Sequence, residues 1–454
     1  MNYLKDSSEC IKSELDVFLM PPLNTSIEQG QFESIKPMIN KDGTIEFNVV
    51  GTDDYIDLSK CYVDLTAKVF KVNDSISGQP KLEAADTVGP INNFFHSLFS
   101  QIEVNLNNTS VENTNTTYPY KAYLTDLLNY NQDAKESFLQ STLFVKDTAG
   151  QMNNINAPIK KENGSNGTVE KAQEYNAGFW GRKQFLKNGT VNMCGRLHCD
   201  IFNSDRYLLN KINLNIQLKK TTSAFSLMWA NDKTQYEVDI TKINFIVRRV
   251  KVSPALANAH NNTLMKSLAC YPIKRTKVSK YSISTTGQSF SETIYQGVLP
   301  SRVVIGMVLN KAFMGNNIEN PFNFQHFNLA KLSLSSSGVL SPYKEALEFD
   351  FNNNNYMNGF RTLFDGIDKA ETGNNISRSD YPNGYALFAF DFTPDMCSSH
   401  HFNLQKTGSL SIDMSFSQEL TNAITLIVYY EFDDIIYIDK YRQIQLANNG
   451  LASN

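Results

Sequence analysis

The 454-residue chain has a mass of 51.3 kDa and a net charge of −4, and it is long enough for two or three domains with ordinary hydrophobic cores. Its 19% of charged residues, its 50 asparagines and its 50 phenylalanines and tyrosines are typical of a β-rich protein with long polar loops, and they disfavour a helical bundle and a disordered chain. The negative net charge disfavours a free-standing nucleic-acid binder. Six scattered cysteines, no apolar signal core near the N-terminus and no apolar run of about 18 residues disfavour a disulfide scaffold, a secreted protein and an integral membrane protein.

Alternating apolar and polar residues predict antiparallel strands along the whole chain, whereas helical patterns are few. In the first half we predict strands at 44–50, 62–72, 101–106 and 212–218, and helices at 92–99 and 118–130. In the second half we predict strands at 302–309, 331–334, 385–392, 410–416 and 424–432, and a helix at 356–364. Because regular helices do not separate the strands, a parallel βαβ sheet is not expected.

The order of these elements repeats about half a chain later, which indicates an internal duplication. The sequences NFFH, ending at His96, and NFQH, ending at His326, each precede a predicted strand at a shift of 230 residues. The helical pattern at 120–128 returns at 356–364, and the strand pattern at 212–218 returns at 410–416. We therefore predict an N-terminal extension (1–40), a first β-domain (41–252) with a polar insertion at about 146–187, a linker (253–268), a second β-domain (269–440) and a C-terminal tail (441–454). The middle of the insertion, 153–170, is expected on the outer surface and tolerant of change.

A basic stretch spans the predicted linker, since residues 242–280 hold nine Lys or Arg and no Asp or Glu. Such a stretch predicts either a patch facing phosphate or an acidic partner, or cations that pair with carboxylates of their own domain. The candidate patch residues are Arg248, Arg249, Lys251, Lys274, Arg275, Lys277 and Lys280.

The sequence contains none of the usual motifs for catalysis, cofactor binding or metal binding. We therefore expect no enzyme activity, no cofactor and no metal. The sequence CGRLHC, with Cys194, His198 and Cys199, resembles a zinc site, but a predicted strand there would place the two cysteines on opposite faces. His96 and His326 are interpreted as caps or packing groups because they occupy equivalent positions. The two adjacent histidines at 400 and 401 are interpreted as a hydrogen-bonded corner of a loop.

Long blocks of the sequence resemble Polinton/Maverick-type (adintovirus-like) major capsid proteins. The blocks include SELDVFLMPPLNTSIEQG (13–30), VGPINNFFHSLFSQIEVNLNN (88–108), GRLHCDIFNSDRYLLN (195–210), NPFNFQHFNL (320–329) and GYALFAFDFTPD (384–395). The resemblance covers both halves and is weakest at about 150–180. It implies an all-β double jelly roll, that is, two tandem antiparallel β-sandwiches with a few short helices in loops.

The resemblance also implies a function in the virion. A homotrimer would form a pseudo-hexameric capsomer of an icosahedral double-stranded DNA virus or virus-like element, assembled inside the host cell. Its partners would be neighbouring capsomers, minor and penton capsid proteins and, through inward-facing basic residues, loosely held DNA. Jelly rolls also serve other functions, so a two-domain carbohydrate-binding or host-attachment protein is the alternative, and a glycosidase or polysaccharide lyase is a third.

Overall fold

The computed structural model describes residues 12–18, 20–41, 43–72, 82–83, 86–158, 174–230, 234–396 and 401–447. It consists of 41% strand and 19% helix, so the predicted all-β class is confirmed. Within these residues no helix is both long enough and apolar enough to cross a lipid bilayer.

Among the described residues before 253, twelve strands form the first roll. They are β1 (Ile27–Ile35), β2 (Ile39–Lys41), β3 (Thr44–Val49), β4 (Tyr55–Ile56), β5 (Tyr62–Val72), β6 (Gly89–Pro90), β7 (Phe99–Leu106), β8 (Thr109–Asn113), β9 (Thr190–Gly195), β10 (Leu214–Lys220), β11 (Leu227–Met228) and β12 (Gln235–Val252).

The strands after residue 268 form the second roll. They are β13 (Ala269–Ile283), β14 (Ser289–Val298), β15 (Arg302–Leu309), β16 (Leu329–Ser336), β17 (Val339–Leu340), β18 (Leu347–Glu348), β19 (Leu387–Asp391), β20 (Thr407–Phe416), β21 (Ile424–Ile438) and β22 (Ile444–Leu446).

The described helices are short and lie between strands. They are α1 (Phe94–Ser97), α2 (Tyr118–Asn129), α3 (Gln132–Glu136), α4 (Ala177–Gln184), α5 (Ser223–Ser226), α6 (Pro254–Leu264), α7 (Asn310–Met314) and α8 (Met357–Asp365). Five 3₁₀ segments accompany them, at Ser13–Leu15, Leu58–Lys60, Asn115–Thr117, Phe138–Thr142 and Asp200–Asn203.

Both rolls use the same strand order in two antiparallel sheets. In the first roll the sheets run β1-β12-β5-β9 and β3-β10-β7-β8, and β2 extends the second sheet beyond β3. In the second roll they run β13-β21-β15-β19 and β14-β20-β16-β17. The strands correspond one to one, which confirms the predicted duplication: His96 precedes β7 and His326 precedes the equivalent strand β16. Eight paired strands in two facing sheets form the jelly roll in each half.

Side-chain alternation explains why these segments form strands. In β5, Val63, Leu65, Ala67 and Val69 point into the core, and the residues between them are partly exposed. The first seven residues of β21 are all buried, which is typical of a strand covered on both faces.

The two hydrophobic cores share residues across the boundary between the rolls. Tyr120 and Tyr123 of α2, in the first roll, belong to the core of the second. Conversely, Tyr271 and Ile436 of the second roll pack into the core of the first. The rolls therefore form one packed unit.

The structure differs from the predicted boundaries in two places. The extension 1–40 contains β1, which pairs with β12 in the first roll. β1 is an edge strand with no fully buried residue, so its sequence lacks a clear apolar alternation. The tail 441–454 contains β22, which pairs with β21.

The linker 253–268 lies between β12, which ends at Val252, and β13, which begins at Ala269, and it contains α6. Its N-cap is Ser253, whose hydroxyl accepts a hydrogen bond from the Leu256 backbone N–H, and Pro254 occupies the first turn. These capping residues explain why the linker forms a helix.

Candidate functional site between the two rolls

A largely buried set of charged and polar side chains joins the two rolls. This inter-roll cluster consists of Glu112, Lys121, Asp200, Arg275, Thr276 and Asp434. Its first three members come from β8, α2 and the 3₁₀ segment after β9, and its last three come from β13 and β21.

Lys121 is the cation at the centre of the first-roll side of this cluster. Its Nζ lies 2.5 Å from Glu112 Oε1 and 2.8 Å from Asp200 Oδ1, and all three side chains are at most 5% exposed. Nζ also donates to the Thr276 carbonyl oxygen, at 3.3 Å. Burial, together with the Asp200 carboxylate, raises the pKa of Glu112 to about 7. The charges are therefore desolvated and depend on one another.

Arg275 provides the cation on the second-roll side. Its Nε donates to Asp434 Oδ2 at 2.6 Å, and its guanidinium also donates to the Val111 carbonyl oxygen of the first roll at 2.7 Å. The Arg275 side chain is 2% exposed. A planar guanidinium can satisfy both acceptors at once, so one residue ties the sheet of the second roll to β8 of the first.

A second buried contact between the rolls lies near the polar insertion. Arg182 of α4 has no exposed surface, and its guanidinium pairs with Asp147 Oδ1 at 2.7 Å. The other carboxylate oxygen of Asp147 accepts from Asn320 Nδ2 of the second roll at 3.1 Å, and its backbone carbonyl accepts from the Tyr385 hydroxyl at 2.7 Å. The flanks of the insertion are thus packed in the interior, whereas residues 159–173 lie outside the described residues.

The seven basic candidates do not form one patch. Arg249 is 6% exposed, and its Nε lies 2.5 Å from Glu33 Oε2 of β1. Arg275 is buried as described above. For these two residues, pairing with carboxylates of the chain itself explains the positive charge, and neither is available to a partner.

The other five basic residues are exposed or half-buried. Lys251 pairs with Glu28 at 3.0 Å, and Lys274, 49% exposed, pairs with Asp433 at 2.5 Å. Arg248 covers the Phe32 ring, Lys277 the Tyr295 ring and Lys280 the Phe313 ring. Desolvation lowers the pKa of Lys277. Which way these residues face in an assembly stays a prediction.

The two cysteines of CGRLHC lie apart in the structure, but strand alternation is not the whole reason. β9 ends at Gly195, so His198 and Cys199 lie in the loop that follows and not on the strand. Cys194 is exposed and Cys199 is buried, which places the two thiols in different environments.

The histidines occupy different environments. His198 lies beside His96 and Asp126 of the first roll. His326 stacks on Phe351, with ring centroids 4.0 Å apart, and His401 bonds Asp395 at 2.7 Å. The neighbouring position 400 lies outside the described residues.

Apolar side chains ahead of β1 are strongly exposed. This N-terminal apolar segment consists of Leu15, Val17, Phe18, Met20 and Leu23, whose exposure ranges from 72% to 95%. Contiguous exposed apolar groups of this kind mark interaction surfaces.

The polar members of α2 were missed in the sequence. Lys121 and Asp126 lie on a helix whose apolar residues face two cores at once, so neither has a solvent-facing side. Ten of the twelve α2 residues are buried in the folded chain, which leaves the charged residues no exposed stripe.

No protein-family model matches the sequence. The chain is 24% identical to an uncharacterized protein of Caenorhabditis elegans, and the alignment covers 93% of this chain and 98% of that protein.

Solved viral structures are similar over nearly the whole chain. A chain of the Sputnik virophage aligns with a TM-score of 0.66 and 10% identity, covering 97% of this chain and 93% of that one. The Faustovirus major capsid protein aligns with a TM-score of 0.52 and 10% identity, covering 93% of each chain. The mavirus major capsid protein aligns with a TM-score of 0.50 and 12% identity, covering 98% and 96%. Two of these neighbours are major capsid proteins, and together with the repeated sheet order the structural matches identify the fold of this chain as a double jelly roll.

Proposed function

We propose that the chain is a major capsid protein whose homotrimers form pseudo-hexameric capsomers of an icosahedral double-stranded DNA virus or virus-like element. The observation that carries the proposal is the pair of rolls with one strand order, fixed to each other by the buried inter-roll cluster. Two similar rolls in each of three chains present six similar lobes, so a threefold oligomer acquires a nearly hexagonal outline.

A capsomer of this kind requires a fixed angle between the two rolls of each chain. The inter-roll cluster supports this requirement, because moving one roll against the other would separate buried charges from their partners. Tyr123 of the first roll packs in the core of the second, and Tyr271 of the second roll packs in the core of the first. This mutual packing also supports a fixed angle between the rolls.

The N-terminal apolar segment supports contacts between copies. Phe18 is 95% exposed and Leu23 is 85% exposed in the single chain, and association would remove this surface from water. We assign the segment to contacts between chains, in a trimer that buries more than about 2,000 Å² for each pair, as obligate assemblies do.

The finer assignments are also proposals. The Polinton/Maverick type rests on the sequence blocks quoted above, and contacts with neighbouring capsomers and with minor and penton capsid proteins follow from the same resemblance. The virion is the proposed location, after assembly in the host cell. The exposed cations Lys251, Lys274 and Lys280 are the proposed inward-facing residues for loose contact with DNA, without base reading.

Light scattering coupled to size-exclusion chromatography tests the proposal. We expect a particle of three times the 51.3 kDa chain mass, and it should persist on dilution to nanomolar concentration. A monomer that binds glycans would overturn the proposal in favour of a carbohydrate-binding protein.

A further inference from the structure

Three side chains from separate segments of the first roll meet in a buried group. This histidine cluster consists of His96 of α1, Asp126 of α2 and His198 of the loop after β9, and one ligand atom of each lies within 4.8 Å of the others. His198 Nε2 lies 3.0 Å from Asp126 Oδ1, and the rings of His96 and His198 have centroids 4.6 Å apart. The first and last of these residues are 102 positions apart, so the fold and not local sequence creates the group.

Neighbouring residues orient the cluster as they do in metal sites. His96 Nδ1 bonds the Tyr118 hydroxyl at 2.8 Å, which fixes the ring and leaves the second nitrogen for a ligand. Asn93 Nδ2 donates to Asp126 Oδ2 at 2.8 Å. Metal-binding histidines and carboxylates typically have such outer hydrogen bonds, because these set the ring orientation and hold the oxygens in place.

The Asp126 carboxylate is buried, at 1% exposure, and the His198 imidazole lies beside both of its oxygens, with Nε2 3.0 Å from Oδ1 and 3.1 Å from Oδ2. One imidazole N–H cannot serve both oxygens with good geometry, and Asp126 Oδ1 is left without a hydrogen bond among the described residues. A buried carboxylate oxygen without a hydrogen bond is unfavourable, and a cation beside it would satisfy it.

The chemistry of the three ligands selects the ion. Two imidazoles and one carboxylate match zinc and similar divalent transition metals, whereas calcium and magnesium prefer ligands that are all oxygen. The His198 side chain is 15% exposed, so a water molecule can reach a fourth position. We propose that His96, Asp126 and His198 bind one divalent transition metal ion of the zinc class, which links α1, α2 and the loop after β9.

This inference departs from the expectation of no metal. That expectation considered His198 only with Cys194 and Cys199, whereas its partners here are His96 and Asp126. The second roll offers a matched control, because His326 is equivalent to His96 in sequence but stacks on Phe351 and accepts from the Asn328 backbone N–H through Nδ1.

Metal analysis of the full-length protein tests the proposal. After expression with zinc in the medium, we expect one zinc per chain by elemental analysis, and cobalt exchanged into the stripped protein should give the visible absorption of a four-coordinate site. His198→Asn should lower the affinity for cobalt at least tenfold and abolish the rise in melting temperature on adding zinc, whereas His326→Asn should keep both.

A second variant guards against misfolding. Asp126→Asn keeps the side-chain size, and it should lose cobalt binding in the same way while circular dichroism reports the wild-type fold. Wild-type protein that takes up neither ion would overturn the proposal. Equal cobalt affinity in the wild type, His198→Asn and Asp126→Asn would overturn it too.

Discussion

Asp200 of the first roll accepts two hydrogen bonds from Thr276 of the second, one from the backbone N–H at 2.9 Å and one from the hydroxyl at 2.7 Å. The same carboxylate pairs with Lys121 at 2.8 Å and is 2% exposed. A single buried side chain thus links a helix of one roll to the first strand of the other.

Replacing this carboxylate should destabilise the whole chain. Asp200→Asn leaves Lys121 with less negative charge in a desolvated site, and loss of one partner of such a buried pair costs about 3–5 kcal/mol. Denaturant unfolding should show the loss. Asp64→Asn is the control: its pair with Lys242, at 3.3 Å, is partly exposed, and its loss should cost less than about 1 kcal/mol. Equal effects of the two variants would contradict the role of the inter-roll cluster.

Glu112 should make stability depend on pH. Its pKa is raised from 4.5 to about 7 in the folded chain, so the folded state binds more protons than the unfolded state between these values. The free energy of unfolding should therefore fall as pH rises through this window, by at most about 1.4 kcal/mol per pH unit. Glu112→Gln removes this contribution. Denaturation of both proteins between pH 4.5 and pH 7.5 checks it, and parallel pH profiles would show the prediction to be wrong.

The ring stack between the rolls offers a prediction with an unusual sign. Tyr123 of α2 stacks on Phe322 with centroids 4.1 Å apart, and its buried hydroxyl has no hydrogen-bond partner among the described residues. Tyr123→Phe should therefore raise the free energy of unfolding by about 1 kcal/mol, since it removes an unpaired polar group and keeps the stack.

The matched variant is Tyr385→Phe. Its hydroxyl donates to the Asp147 carbonyl oxygen at 2.7 Å, so losing it should lower stability by about 1 kcal/mol. Thermal unfolding compares the two, and a loss in Tyr123→Phe as large as that in Tyr385→Phe would refute the assignment.

The exposed cations allow a test of the proposed DNA contact. Replacing Lys251, Lys274 and Lys280 by Gln should leave trimers intact and lower the amount of DNA held by assembled particles, measured by nuclease-protected nucleic acid. Arg275→Gln is a contrasting variant, because that residue is buried against Asp434 and should lose folding stability first. Unchanged DNA content in the triple variant would mean that these lysines are solvated or paired within the chain.

Sequence patterns predicted the strands where apolar alternation alone defines them. The bounds at 62–72 and 302–309 agree with β5 and β15. The prediction for β21 stopped at 432 because Asp433 and Asp434 interrupt its apolar run, yet the strand continues to Ile438. These two acids lie opposite Lys274 and Ile273 of β13 and pair with Lys274 and Arg275, so their place in a strand depends on a neighbour about 160 residues away.

Partners that are distant in the sequence also limited prediction of the candidate site. The basic residues were visible as a run of charge, but the carboxylates that pair with Arg249 and Arg275 come from β1 and β21. His96 and His198 were considered separately and Asp126 was missed, because only the folded roll brings the three residues within 4.8 Å.

Cryo-electron microscopy of the purified full-length protein tests the central claim most directly. If the two rolls form a fixed unit of a threefold capsomer, class averages should show a threefold particle with six similar lobes and a nearly hexagonal outline. Single two-lobed chains, or particles in which the two rolls of one chain take variable angles, would contradict the account.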